Sequence, residues 1–304
     1  MTTLPPAGAA VGTGTPAAEV EIDEAMIRRL LRAQHPDLAD RPLRHAASGW
    51  DNVIYRLGED LAVRLPRRQP AAWLLIKEQT WLPKLAGALP LPIPAPIRNG
   101  AAGEGYPWPW TVHAWLPGEP ADRAPPGEGE GAAWGRFLRA LHQPAPADAP
   151  RNPYRGVALA QRRGVIEERM AALAAKGRRM GPATHAAWRA AVDLPVEAET
   201  WLHGDPHARN VLTEGGRFSA VVDWGDMCVG DPASDLASLW MLLPKAAERR
   251  AAIAAYGGLS ETLQARAHGW TVAMGTMLLE AGLVNDPRLA AMGDVTLQRL
   301  EADL

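Results

Sequence analysis

The chain has 304 residues, enough for one large domain or two lobes, and its 47% apolar and 22% charged content is that of an ordinary globular protein. A formal net charge of -2 supplies no concentrated basic face of the kind a nucleic-acid binder needs. One cysteine, Cys228, excludes an internal disulfide framework, and the apolar runs are too short to span a bilayer, so a cytoplasmic protein with no membrane or nucleic-acid partner is expected.

In chain order, residues 1–20 are Thr, Pro, Gly and Ala with few large apolar groups and read as a flexible tail. A helix follows over 22–34, with Ile22, Met26, Ile27, Leu30 and Leu31 on one stripe, and His35-Pro36 ends it. Alternating residues predict strands over 43–47, 53–57 and 61–65, joined by the turn Ser48-Gly49-Trp50-Asp51-Asn52 and by Gly58-Glu59-Asp60. A helix over 71–86 carries Glu78. Between 89 and 96 alternate prolines remove donors and disfavour helix, leaving an extended connector. One more strand is expected over 110–116, closed by Pro117-Gly118.

Beyond it helices dominate, over 132–142, 158–176, 182–192, 234–243, 246–256, 263–283 and 287–302, with short strands over 199–202, 210–213 and 218–222. The plan is α+β and bilobal: a small β-rich N-lobe over 21–116 and a mostly helical C-lobe over 117–304.

The chemistry concentrates between Trp201 and Trp224. Phosphoryl transfer needs a carboxylate to hold the attacking hydroxyl and oxygen ligands for Mg²⁺ on the phosphates. Asp205 and Asn210 are separated by four residues, the D-x-x-x-x-N spacing of a kinase catalytic loop. Thirteen residues after Asn210, Asp223 ends the apolar run Phe218-Ser219-Ala220-Val221-Val222, where a buried strand would hold a metal ligand rigidly. Each residue alone reads as a turn or cap; their joint spacing does not.

Three blocks, Trp201-Leu202-His203-Gly204-Asp205-Pro206-His207-Ala208-Arg209-Asn210-Val211-Leu212, Val222-Asp223-Trp224-Gly225 and Gly230-Asp231-Pro232-Ala233-Ser234-Asp235-Leu236-Ala237, resemble the aminoglycoside phosphotransferase family. That family shares the protein-kinase fold and includes kinases of antibiotics and of other small metabolites. The resemblance implies that Asp205 is the catalytic carboxylate and that Asn210 and Asp223 bind Mg²⁺. It makes His203 a support of the loop and gives His207 no proton-transfer role. Asp235 is expected to tie a helix start to the loop.

The same template places a cation on the third strand, paired with a helix glutamate, against the phosphates of ATP or GTP. Here Arg64 stands where the family has Lys, with Glu78 as its partner; Arg is always charged and forks, but is bulkier than Lys. Ser48 and Gly49 sit where a phosphate-covering loop belongs, although the turn has one glycine and no G-x-G-x-x-G run. The base is expected against 112–116.

Seven residues separate Asp223 from Asp231, too few for the activation segment of a protein kinase, so the acceptor is a small molecule. From residue 241 onward six basic residues meet seven acidic ones, a balance that does not favour a polycation. Trp240, Met241, Trp270, Met274 and Met277 could instead line an apolar wall or simply form core. The expectation is a Mg²⁺-dependent phosphotransferase acting on an antibiotic hydroxyl. The alternatives are a sugar or amino-alcohol kinase and a nucleotide-binding module without catalysis.

Overall fold

A computed structural model describes residues 17–304; most of the expected tail, residues 1–16, lies outside the described residues. Glu19 is held to the body of the protein, its N–H donating to Arg67 O at 2.9 Å and its carboxylate accepting from Gln69 N at 3.1 Å.

The N-terminal part is built from α1 (Glu24–Gln34), β1 (Leu43–Ser48), β2 (Asn52–Leu57), β3 (Leu61–Pro66), α2 (Gln69–Leu85), β4 (Pro96–Gly100) and β5 (Trp110–Ala114). Asp23 caps α1 by accepting from Met26 N at 2.7 Å. The strands form one antiparallel sheet in the order β1-β2-β3-β5-β4. Register then decides which side chains face which way. Val63 lies opposite Tyr55 and Val112, and that face packs on Ile27, Leu30 and Leu31 of α1 in a closed apolar cluster. Each such fully buried aliphatic side chain contributes about 1.5–3 kcal/mol. The other face carries Ile54, Arg64 and Thr111 in a row and receives α2 through Glu78.

After β6 (Glu119–Pro120) come α3 (Glu130–Leu141), α4 (Arg163–Ala175), α5 (Pro182–Ala191), β7 (Thr200–Leu202), β8 (Val211–Glu214), β9 (Arg217–Val221) and β10 (Cys228–Gly230). The chain closes with α6 (Ala233–Leu236), α7 (Ser238–Leu242), α8 (Ala246–Tyr256), α9 (Glu261–Asn285) and α10 (Pro287–Asp303). β7 pairs with β10, and β8 with β6 and β9, so two small sheets frame the segment between Leu202 and Val211.

A second, larger core surrounds α9. Trp240, Met241, Trp270 and Met274 belong to it at 6% exposure or less, which makes them core and not an acceptor wall; Met277 alone of that set is half-buried. Gly293 lets α10 touch α9, because a Cβ there would stand 2.3 Å from Leu279 N.

The mixed α+β, kinase-like architecture matches the one expected from sequence. Three elements differ from that expectation. β4, β6 and β10 are absent from the expected strands, being at most five residues long and having no alternation to read. The helix expected over 234–243 is two helices broken at Ala237. The helix expected over 158–176 starts as a 3-10 turn, Leu159–Arg162, before α4.

Candidate active site

The loop from His203 to Asn210 is held by buried hydrogen bonds. Asp235, at the start of the helical run after β10 and fully buried, accepts from His203 N at 2.7 Å and Gly204 N at 2.9 Å. His203 Nε2 lies 3.0 Å from Val222 O. A carbonyl can only accept, so Nε2 carries the proton and Nδ1 is left to accept from Asp205 N at 3.2 Å. The His203 ring packs on buried Trp224 with centroids 4.6 Å apart.

Gly204 has φ +87°, and a Cβ there would lie 2.5 Å from Asp226 O. Gly204→Ala is therefore expected to cost at least about 1–2 kcal/mol for the left-handed backbone alone. The clash adds displacement of Asp205. Chemical denaturation of a G204A variant checks this; unchanged stability would mean the loop has room the structure does not show.

Asp205 is 19% exposed in its side chain. Asn210 donates from Nδ2 to Asp205 O at 2.9 Å, leaving its amide oxygen free, and Val222 N donates to Asn210 O at 2.8 Å. This last bond brings Asn210 beside Asp223. Asp223 itself adopts φ +60°, a left-handed conformation costing a non-glycine residue about 1–3 kcal/mol. The surroundings impose it: Trp224 is buried and its indole N–H donates to Val221 O at 3.0 Å. The result is an Asp223 carboxylate 58% exposed at the mouth of the site.

From the sheet, Arg64 reaches the same place. It is 6% exposed and forks onto Glu78 of α2 at 2.5 and 3.0 Å, and its Nη2 lies 3.8 Å from Asp223 Oδ1. With the Asn52 amide turned so that its oxygen faces Arg64, that oxygen accepts at 2.9 and 3.2 Å. Burial works against the Arg64 charge, but Glu78 and Asp223 outweigh it and hold its pKa above the ordinary arginine value.

The Ser48-Gly49 turn is placed differently from the rest. Gly49 N closes the turn on Asn52 O at 2.8 Å and Ser48 Oγ pairs with His45 Nε2 at 2.9 Å, so both groups are occupied. The loop nevertheless approaches the site through Asp51. That carboxyl is raised by burial, against Arg68, and is raised further by Asp223. Along 112–116, Trp115 N donates to Asp60 O at 2.8 Å and His113 Nδ1 pairs with Ala114 O at 2.8 Å.

Four contacts were not legible in the sequence. Lys77 Nζ donates to Gly225 O at 2.5 Å. His207 Nε2 stands 3.5 Å from Asp205 Oδ2. Arg209 forks onto Asp286 at 2.7 and 2.7 Å, holding that carboxyl down to about 2 and tying the loop to the N-terminus of α10. Arg155 touches Asp205. Lys77 and Arg155 lie in segments with no motif. Arg209 falls inside the quoted block, but its partner is 77 residues away.

Asn210 and Asp223, brought near each other through the Val222 N–Asn210 O bond, each offer an oxygen donor. Among the described residues no three His, Cys, Asp or Glu side chains gather to hold a metal. A pair fits a hard cation that takes its other ligands from water and from substrate phosphates.

The sequence matches the profile of the phosphotransferase enzyme family (APH) over residues 42–270. The chain belongs to this family. It is a small-molecule O-phosphotransferase. No curated protein matches the sequence.

Among solved structures this phosphotransferase is similar to the GDP complex of wild-type aminoglycoside 2'-phosphotransferase-IIIa, at 18% identity and TM-score 0.68, covering 93% of this chain and 99% of that one. It is also similar to macrolide 2'-phosphotransferase MphH from Brachybacterium faecium, as the apoenzyme, at 23% identity and TM-score 0.59, covering 90% and 97%. A third is the streptomycin-ATP-APH(2")-IIa ternary complex, at 17% identity and TM-score 0.56, covering 85% and 91%. At these identities the likeness is one of fold. Among the described residues no helix is long and apolar enough to cross a membrane.

Proposed function

We propose that this phosphotransferase moves the γ-phosphoryl group of ATP or GTP onto a hydroxyl of an antibiotic, in the cytoplasm and with Mg²⁺. The observation that carries the reading is the convergence of Asp205, Asn210 and Asp223 on one loop system, with the Arg64–Glu78 pair reaching Asp223 from the sheet. These are the parts phosphoryl transfer requires, since its loose transition state asks for positioning and charge stabilisation and little covalent help. The antibiotic class is supported by the solved relatives, which are named as aminoglycoside and macrolide phosphotransferases.

Asp205 orients the acceptor hydroxyl and takes its proton as the oxygen bonds to the γ-phosphorus. The bond to the β,γ-bridging oxygen breaks, and the nucleoside diphosphate leaves. Asn210 and Asp223 would hold Mg²⁺, which offsets phosphate charge when bound. Arg64 adds fixed positive charge beside Asp223, and Glu78 keeps it in place. His203 and Asp235 hold the loop rigid, so that Asp205 costs no reorganisation during the reaction.

A neutral, bulky acceptor suits the site better than a polycation, because the guanidinium of Arg155 already lies against Asp205. The test is a coupled assay with ATP and GTP over aminoglycosides, macrolides, nucleoside antibiotics and small sugars and amino alcohols, followed by product NMR. Transfer to a macrolide-like hydroxyl that falls to background on chelating Mg²⁺ is expected. Transfer confined to a sugar or amino alcohol would replace the antibiotic reading with a metabolic kinase, and absence of any acceptor-stimulated turnover would sink both.

A further inference from the structure

One cation beside Asp205 has no counterpart among the residues assigned so far. Arg155 lies in the loop between α3 and α4, fifty residues before Asp205 in the chain. Its side chain is 12% exposed, and each nitrogen of the guanidinium has a separate direction. Nη2 is 3.3 Å from Asp205 Oδ1, Nε is 3.4 Å from Asp226 Oδ2, and Nη1 rests on the sulfurs of Met274 and Met277 at 3.6 and 3.4 Å. The planar fork thus spans the loop of Asp205, the turn after Asp223 and the face of α9.

The Arg155 backbone is anchored as firmly. Asn152 Oδ1 accepts from Tyr154 N at 2.8 Å and Arg155 N at 3.2 Å, while Asn152 Nδ2 donates to Asp226 Oδ1 at 2.9 Å. Burial opposes the charge on Arg155, but Asp205 and Asp226 outweigh it and keep its pKa above the ordinary value. Burial likewise opposes ionisation of Asp226, yet Arg155 and Lys77 hold that carboxyl below its usual range. A charged guanidinium between two carboxylates is therefore a fixed part of this site.

We infer that Arg155 is the positioning residue of Asp205: it fixes Oδ1 so that Oδ2 is the oxygen presented to the acceptor hydroxyl, and through Asp226 it keeps that geometry in step with the Asp223 turn. The inference rests on the reading of Asp205 as the catalytic carboxylate. A carboxylate on a short loop can rotate about its last bond; the planar guanidinium restrains it by bonding Asp205 Oδ1 at 3.3 Å while its Nε stands 3.4 Å from Asp226 Oδ2, so one side chain faces both carboxylates. Arg155 makes its contact through Oδ1, whereas Oδ2 is the oxygen 3.5 Å from His207 Nε2.

The experiment compares R155M, R155K and D205N in steady-state transfer from ATP or GTP, with nucleotide affinity and thermal unfolding measured on each. R155M is expected to lower kcat about 10²-fold, the scale of a reacting group misplaced by about 1 Å, with nucleotide KM unchanged. R155K should recover part of kcat, because its ammonium reaches Asp205 without the second arm to Asp226. If R155M does not fold, R155Q takes its place, keeping a polar, hydrogen-bonding but shorter side chain without the charge. A folded R155M or R155Q with the parent kcat overturns the proposal. So does a kcat loss matched by an equal rise in nucleotide KM and left unrelieved in R155K, since that is general damage. Full transfer by D205N would instead remove the assignment of Asp205, whatever the Arg155 variants do.

Discussion

Asp205→Asn is expected to leave the protein folded and able to bind nucleotide while phosphate transfer drops by roughly 10²–10⁴-fold, the range for loss of a positioned general base. The substitution keeps the shape of the side chain. Its amide oxygen still accepts from Arg155 Nη2, so the contact at 3.3 Å and the surrounding loop survive. What disappears is the negative oxygen that takes the hydroxyl proton. The loop itself depends on Asp235 and His203, neither of which bonds the Asp205 carboxylate. Binding and catalysis should therefore separate in one variant. Nucleoside diphosphate release, thermal unfolding and nucleotide titration together check this. A D205N protein turning over at the parent rate would move the catalytic role elsewhere, with His207 as the next group to examine.

The second large effect is expected at the Arg64–Glu78 pair. Both residues are buried, at 6% and 1% exposure, and two hydrogen bonds join them. Arg64→Met leaves the Glu78 carboxylate buried without its cation, at an expected cost of about 3–5 kcal/mol. The double variant R64M/E78L replaces the pair by apolar groups of similar volume, a change that is often neutral or stabilising. Stability should return in the double variant; turnover should not, because no cation then stands near Asp223. Urea denaturation and the transfer assay on the three proteins measure both halves. Recovery of activity with R64M/E78L would show the pair to be scaffolding only. Arg64→Lys probes the departure from the family: a lysine keeps the charge but cannot fork onto Glu78 while staying near Asp223, so partial loss in both measurements is expected.

Much of this was legible in the sequence because it is local. Alternation in Val53-Ile54-Tyr55-Arg56-Leu57 and Leu61-Ala62-Val63-Arg64-Leu65 specified two strands and put Arg64 on the face opposite the N-terminal core. The spacing from Asp205 to Asn210 to Asp223 specified a tight loop and a strand-turn, where the chain itself brings the donors together. The proline run between 89 and 96 could form neither helix nor central strand. β4 opens on Pro96, a residue tolerated at the start of an edge strand, and nothing before it announces that pairing.

What only the tertiary structure decided are contacts between segments with no shared period. Arg155 meets Asp205 across fifty residues, Lys77 reaches Gly225 across 148, and Arg209 finds Asp286 across 77. Each depends on how whole elements pack, not on neighbours in the chain. The aromatic and Met stripe of α7 and α9 shows the same limit: an apolar stripe reads alike whether it lines a pocket or a core, and only packing around α9 made Trp240, Trp270 and Met274 core. The geometry of the loop proposed to carry the chemistry was thus written in the sequence by spacing. The arginine that holds its carboxylate was not, because a guanidinium at the end of a long side chain takes its meaning from what folding brings within about 3 Å.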